Sequence, residues 1–154
     1  MKWSLLLLLL NISGLTYGQR NFEATAYYKT IKEEQAKIGQ EIYVYKTSVS
    51  DLNLRILNFQ IKKSIAILDS TPAYNQEEYY KKATVNLFSY FLSVSENQYK
   101  QLLNYVEDPS LDNKEYKSKI QALFKDISIK EKPFDIAYNA AEENFIRKYG
   151  VKPE

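Results

Sequence analysis

Glycine and proline, the residues that most often interrupt regular structure, are almost missing from the body of this chain. After residue 18 they occur only as Gly39, Gly150, Pro72, Pro109, Pro133 and Pro153. So few breaks leave long elements, and the apolar spacing between them is helical. Ala24, Tyr28, Ile31, Gln35, Ile38, Ile42, Tyr45 and Val49 follow one another at alternating steps of four and three, the stripe by which a helix packs against its neighbours. Gly39 costs this first helix up to about 1 kcal/mol relative to alanine, and its missing side chain is expected to let another helix approach closely.

Three further segments carry the same period. Ser50 or Asp51 can cap a second helix with the stripe Leu54, Leu57, Ile61, Ile65 and Leu68. Residues 42–61 are also rich in β-branched and aromatic side chains and partly alternate, so a β-hairpin turning at Ser48 to Asp51 is the competing expectation. The helix is preferred because Ile56-Leu57, Ile61-Lys62-Lys63 and Ile65-Ala66-Ile67-Leu68 break a period of two. Pro72 ends this element. Asn75, with Glu78 three residues on, reads as the capping box of a third helix. Its stripe is Tyr80, Ala83, Leu87, Phe91, Val94, Gln98, Leu102 and Tyr105, flanked by Phe88, Leu92, Tyr99, Leu103 and Val106. A turn at Glu107 to Ser110 and the start signal Asp112/Glu115 open a fourth helix, striped Tyr116, Ile120, Leu123, Ile127, Phe134, Ala137, Ala141 and Phe145. It ends at Lys148 and Gly150. Pro133 is expected to kink it or split it near 129–132. Short connections between four amphipathic helices predict an all-α, antiparallel up-down-up-down four-helix bundle.

The amino terminus reads as a leader. Lys2 precedes six consecutive leucines, Leu5 to Leu10, and Thr16 and Gly18 stand where the small −3 and −1 residues of a cleavage site belong. Residues 1–18 are therefore expected to be a secretory signal peptide cut before Gln19, leaving residues 19–154 as one helical domain. The apolar run is broken by Asn11, Ser13 and Gly14 before it is long enough to cross a bilayer, so no transmembrane anchor is expected after cleavage. The protein is expected outside the inner membrane, in the periplasm, on the cell surface or secreted. At 45% hydrophobic and 26% charged residues, the chain can form one packed core, and its length suits one domain.

Composition then narrows the chemistry. The chain has no His and no Cys, which excludes a Cys or His nucleophile, a Ser-His-Asp triad, a disulfide and thiolate or imidazole zinc sites. No EF-hand spacing occurs, and no cofactor is expected. A formal net charge of +2 with scattered lysines does not mark a nucleic-acid binder. The acid pairs Glu33-Glu34, Glu77-Glu78 and Glu142-Glu143 diverge by about 100° on a helix, so none can act as a carboxylate dyad, and they read as solvated charge. Lys62-Lys63 and Lys81-Lys82 read likewise. Gln35 and Gln98 are polar interruptions of apolar stripes, at a wet edge or hydrogen-bonded inside, possibilities that include each other as partner. The tyrosines mostly read as flanks of the core with wetted hydroxyls. Where they are exposed they are interface anchors, and Tyr27, Tyr79, Tyr90 and Tyr99 are the candidates for such a surface.

The runs Glu33-Glu34-Gln35-Ala36-Lys37-Ile38-Gly39, Leu54-Arg55, Pro72-Ala73-Tyr74-Asn75-Gln76-Glu77-Glu78-Tyr79-Tyr80-Lys81-Lys82-Ala83, Leu87-Phe88 and Ser95-Glu96-Asn97-Gln98-Tyr99-Lys100 resemble a family of uncharacterised exported helical proteins of Bacteroidetes that includes a leptospiral surface protein. The leader ending Tyr-Gly before Gln19 resembles a Bacteroidetes signal peptide. The resemblance implies an exported bundle in a Gram-negative envelope and carries no active-site residues. The expectation is a non-catalytic envelope or surface interaction module with a protein or other envelope partner. The alternative is a carrier of a small apolar ligand held between the helices, which needs a cavity of roughly 300 Å³.

Overall fold

The computed structural model of the chain describes the backbone of residues 3–153 and the side chains of residues 22–153. The leader, residues 1–18, and its cleavage site lie outside the residues whose side chains are described. The fold is all-helical, with no strand among the described residues. Helix α1 spans Trp3–Thr47, α2 Asp51–Ser70, α3 Tyr79–Val94, α4 Lys100–Glu107 and α5 Asn113–Tyr149. A π-helical turn, Ser95–Tyr99, joins α3 to α4. The two act as one rod, so the described residues form four helical rods.

Residues 42–61 lie in two helices, as expected, and the competing hairpin is not formed. Ser50 is the cap that was anticipated: its backbone is extended and its hydroxyl accepts the Asn53 N–H at 3.2 Å. Two helices therefore meet there across a three-residue connection. The anticipated capping box at Asn75 does not form. Asn75 and Gln76 take left-handed φ values of 50° and 62° inside a single 3-10 turn, Tyr74–Gln76, a conformation asparagine tolerates well. Helix α3 instead begins at Tyr79, and Glu78 pairs with Lys82 at 2.6 Å. Lys81 turns back to donate to the Thr71 carbonyl at 3.0 Å, completing the end of α2. Asp112 caps α5 as expected, accepting the N–H groups of Lys114 and Glu115, each at 2.8 Å, and left-handed Gly150 ends it.

Helix α5 runs through Pro133 as one element, so the chain is not split there. The proline itself is exposed, on the side of the helix away from the core.

The core is lined by Ile31, Ile38 and Tyr45 of α1, Leu57, Ile61 and Leu68 of α2, Tyr80, Leu87 and Phe88 of α3, Tyr99 of the π turn, Leu102 of α4, and Ile127, Tyr138 and Phe145 of α5. Two positions differ from the expected stripes by one residue. The π turn holds one residue more than an α-helical turn, which brings Tyr99 inward in place of Gln98. On α5, Tyr138 is buried and Ala137 is exposed. The α5 stripe still steps by three and four, whereas Val94 to Tyr99 is a longer step across the π turn, so each misreading is one of phase. Gly39 approaches no neighbour: a Cβ built on it would meet nothing within 4 Å. The α1–α2, α2–α3 and α3–α5 seams are extensive, whereas α1 and α5 touch sparsely.

Candidate functional site

Large polar side chains bridge the α1–α5 seam. Lys32, Gln35 and Tyr28 of α1 face Tyr138 and Glu142 of α5, with Tyr80 of α3 behind them. The Lys32 ammonium donates to Gln35 Oε1 at 3.0 Å and to the Tyr138 hydroxyl at 3.2 Å, and it pairs with Glu142 Oε1 at 3.0 Å. Tyr28 donates to that same carboxylate oxygen at 3.0 Å. The Tyr138 hydroxyl donates to Gln35 Oε1 at 2.8 Å and lies 3.3 Å from the Tyr80 hydroxyl. All three Lys32 N–H bonds are thereby engaged. The rings add packing: Tyr28 stacks on Tyr80 at a centroid distance of 6.2 Å, and Tyr80 contacts Tyr138 and Phe145.

The electrostatics follow from this arrangement. Burial, then the bond to Glu142, pushes Tyr28 up to about 12. Burial drives Tyr80 far above the ordinary phenol value and raises Tyr138 as well. Burial alone would lower Lys32, but its hydrogen bonds to Glu142 and Tyr138 outweigh that and leave the ammonium raised. A general base or an amine nucleophile is most effective with a pKa near the working pH. Here the phenols stay neutral and the lysine stays charged, and the cluster ties α1 to α5. Next to it a cleft of about 310 Å³ is lined by Tyr28, Lys29, Lys32, Glu33, Ala36 and Lys152. A second, polar depression of about 490 Å³ lies over the π turn, between Gln98, Gln101, Asn104 and Asp126.

The four candidate interface tyrosines are not brought together. Tyr27 is buried against Tyr74 and Phe145, and its hydroxyl has no hydrogen-bond partner among the described residues. Tyr99 is buried too, its ring against Tyr45, whose hydroxyl donates to the Tyr99 carbonyl. Tyr90 is half-buried: it stacks on Phe134 and donates to the Ile127 carbonyl at 2.7 Å. Tyr79 alone of the four is exposed, at 53%. A surface built on Tyr27 and Tyr99 is therefore ruled out, since their rings fill the core.

The acid pairs do diverge, but not all as solvated charge. Glu33 is exposed while Glu34 is buried, accepting from Ser64 Oγ at 2.7 Å and from Lys37. Glu143 is exposed while Glu142 serves the seam. Gln35 and Gln98 do not meet: Gln35 is bound within the cluster, and Gln98 reaches Asp126 at 3.5 Å. Sequence reasoning missed Lys32, Tyr138 and Glu142. The available signal was Gln35, a polar residue on an apolar stripe whose amide had to be satisfied.

The exposed apolar side chains lie elsewhere. Leu52, Ile56 and Phe59 of α2 are 61%, 42% and 67% exposed. Their spacing of four and three places them on one solvent-facing line. Among the described residues no group of three or more potential ligands is placed to hold a metal ion, and no helix is long and apolar enough to cross a membrane. Compared with protein families, characterised proteins and solved structures, the chain matches none.

Proposed function

We propose that the protein is an exported, non-catalytic interaction module of a Gram-negative envelope, and that it docks a protein partner on the solvent face of α2. The carrying observation is the line Leu52, Ile56 and Phe59, three large apolar side chains left in water side by side. Exposed apolar patches of this kind mark interaction sites, and aromatic side chains are favoured anchors within them. The locked α1–α5 cluster supports binding over chemistry, since neither its lysine nor its phenols are shifted toward neutral pH. In this reading the four helices run antiparallel, up-down-up-down, and α5 bends at Pro133, where an i to i−4 hydrogen bond is missing.

The test is photo-cross-linking from a probe placed at position 59 in the native envelope, compared with the same probe in a Leu52→Ser/Ile56→Ser chain. A partner captured from position 59 and lost in the variant, with helicity unchanged, is the expected result. An identical set of captured proteins for both chains would refute docking on α2. Intact mass of the exported protein should start at Gln19, and a mass retaining Trp3 would overturn the export argument. The second reading, carriage of a small apolar ligand, would use the cleft of about 310 Å³, where Tyr28 and Ala36 stand among the charged Lys29, Lys32, Glu33 and Lys152. Native mass spectrometry showing a co-purified lipid would move the conclusion to it.

A further inference from the structure

Helix α5 is apolar on two sides. Its inner stripe, Leu123, Ile127, Phe134, Tyr138, Ala141 and Phe145, packs into the core. A second stripe runs along its outer face through Ala122, Ile129, Pro133, Ile136 and Ala140, all exposed, with Ile129 at 63% and Ile136 at 59%. These positions step by seven, four, three and four, the spacing of a seam between two helices. They span about 27 Å at 1.5 Å per residue. No described residue covers them. A helix with one core-facing stripe needs no second one.

We infer that a second copy of this chain covers this face, α5 packing antiparallel on α5 about a two-fold axis between Phe134 and Asp135. Two features select that occupant and that register. Antiparallel pairing about this point sets Ile129 against Ala140 of the second copy and Ile136 against its Pro133. The long β-branched side chains thus meet a methyl group and a flat ring instead of each other, and each contact occurs twice by symmetry. The flanking charges agree. Lys125 and Glu143, both exposed, lie at nearly equal distances on either side of the axis, so each lysine comes beside the carboxylate of the other copy. A parallel pairing would set Lys125 on Lys125 and Lys132 on Lys132. The contact is short. Two helix faces of this length bury on the order of 1,000 Å², at the lower edge of specific interfaces, so the dimer is expected to be weak and concentration-dependent.

The chain has no cysteine, which gives a clean test. In sedimentation velocity over roughly 1 to 100 µM, the exported chain should pass from monomer to dimer. Ile136→Asp should raise the dissociation constant by about tenfold or more. That side chain faces solvent in the single copy, so an unchanged circular-dichroism melt should verify that the fold survives. Under mild oxidation, a mixture of Ile129→Cys and Ala140→Cys chains should give a covalent heterodimer, while Ile129→Cys alone should not cross-link. A chain that stays monomeric throughout, or Ile129→Cys chains that link to one another, would overturn the inference. A dimer trapped by Phe59→Cys but not by the 129/140 pair would place self-association on α2 and overturn it equally. This inference does not rest on the α2 docking reading, and its outcome leaves the cross-linking from position 59 to be judged separately.

Discussion

At the scale of single residues, burial rather than residue type decides what each side chain does here. Tyr79 and Tyr80 are neighbours, yet one is 53% exposed and the other 1%. Glu33 and Glu34 divide in the same way between solvent and a buried bond to Ser64. Gly39 is the opposite case, a residue whose environment asks nothing of it. Its helix passes through open space there, so the glycine contributes only backbone entropy lost on folding. Gly39→Ala should therefore stabilise the protein by up to about 1 kcal/mol, read as a higher denaturant midpoint at unchanged slope in urea unfolding. A lower midpoint would mean that the position does receive a neighbour.

At the scale of elements, much was legible in the sequence. The stripes located the four rods, and Ser50 and Asp112 marked two helix starts correctly. The misreadings share one cause, that phase along a helix accumulates from local detail. One extra residue in the π turn exchanged Gln98 for Tyr99, and a choice of three against four after Phe134 exchanged Tyr138 for Ala137. Asn75 misled because the residue that caps a helix well also enters the left-handed region well. Helix α5 also carries Glu131 and Asp135 one turn apart, and both carboxyls are raised. Burial acts first on each, and Asp135 adds to the effect on Glu131, which Lys46 partly opposes. A raised carboxyl favours the folded state once protonated, so this stability is present at low pH and is lost as pH rises through the folded pKa. Glu131→Gln should then raise the thermal midpoint at pH 7, with the gain shrinking toward pH 4. An equal shift at both pH values would show that charge burial is not its cause.

At the scale of the whole molecule, the candidate site depends on which helices become neighbours, and local periodicity does not record that. Lys32 and Glu142 lie far apart in sequence and become a pair only when α1 and α5 are neighbours, where their long side chains span a sparse seam. Gln35 was visible as an anomaly, but its partners were not. The same seam and core hold an unusual number of tyrosines out of water. Tyr27, Tyr28, Tyr45 and Tyr90 are each pushed up to about 12, with burial the first cause in every case. Unfolded phenols ionise near 10, so between about pH 10 and 12 the unfolded chain holds fewer protons than the folded one, and stability falls as pH rises. The protein should unfold cooperatively in alkali, with tyrosinate absorbance and loss of helicity rising together. A smooth phenol titration centred at pH 10 in a chain that stays helical would contradict the burial described above.

The turn at Ser95–Tyr99 has a consequence for the gene as well as for the fold. It accommodates a supernumerary residue without rotating the rod on either side, and Asn97 in its middle is exposed. A codon lost here would let the bulge relax into ordinary α-helix with both flanking faces still pointing inward. The same loss anywhere else in that rod would swing every later side chain by about 100°. Length variation should therefore be forgiven at this one spot and purged from the rest of the rod.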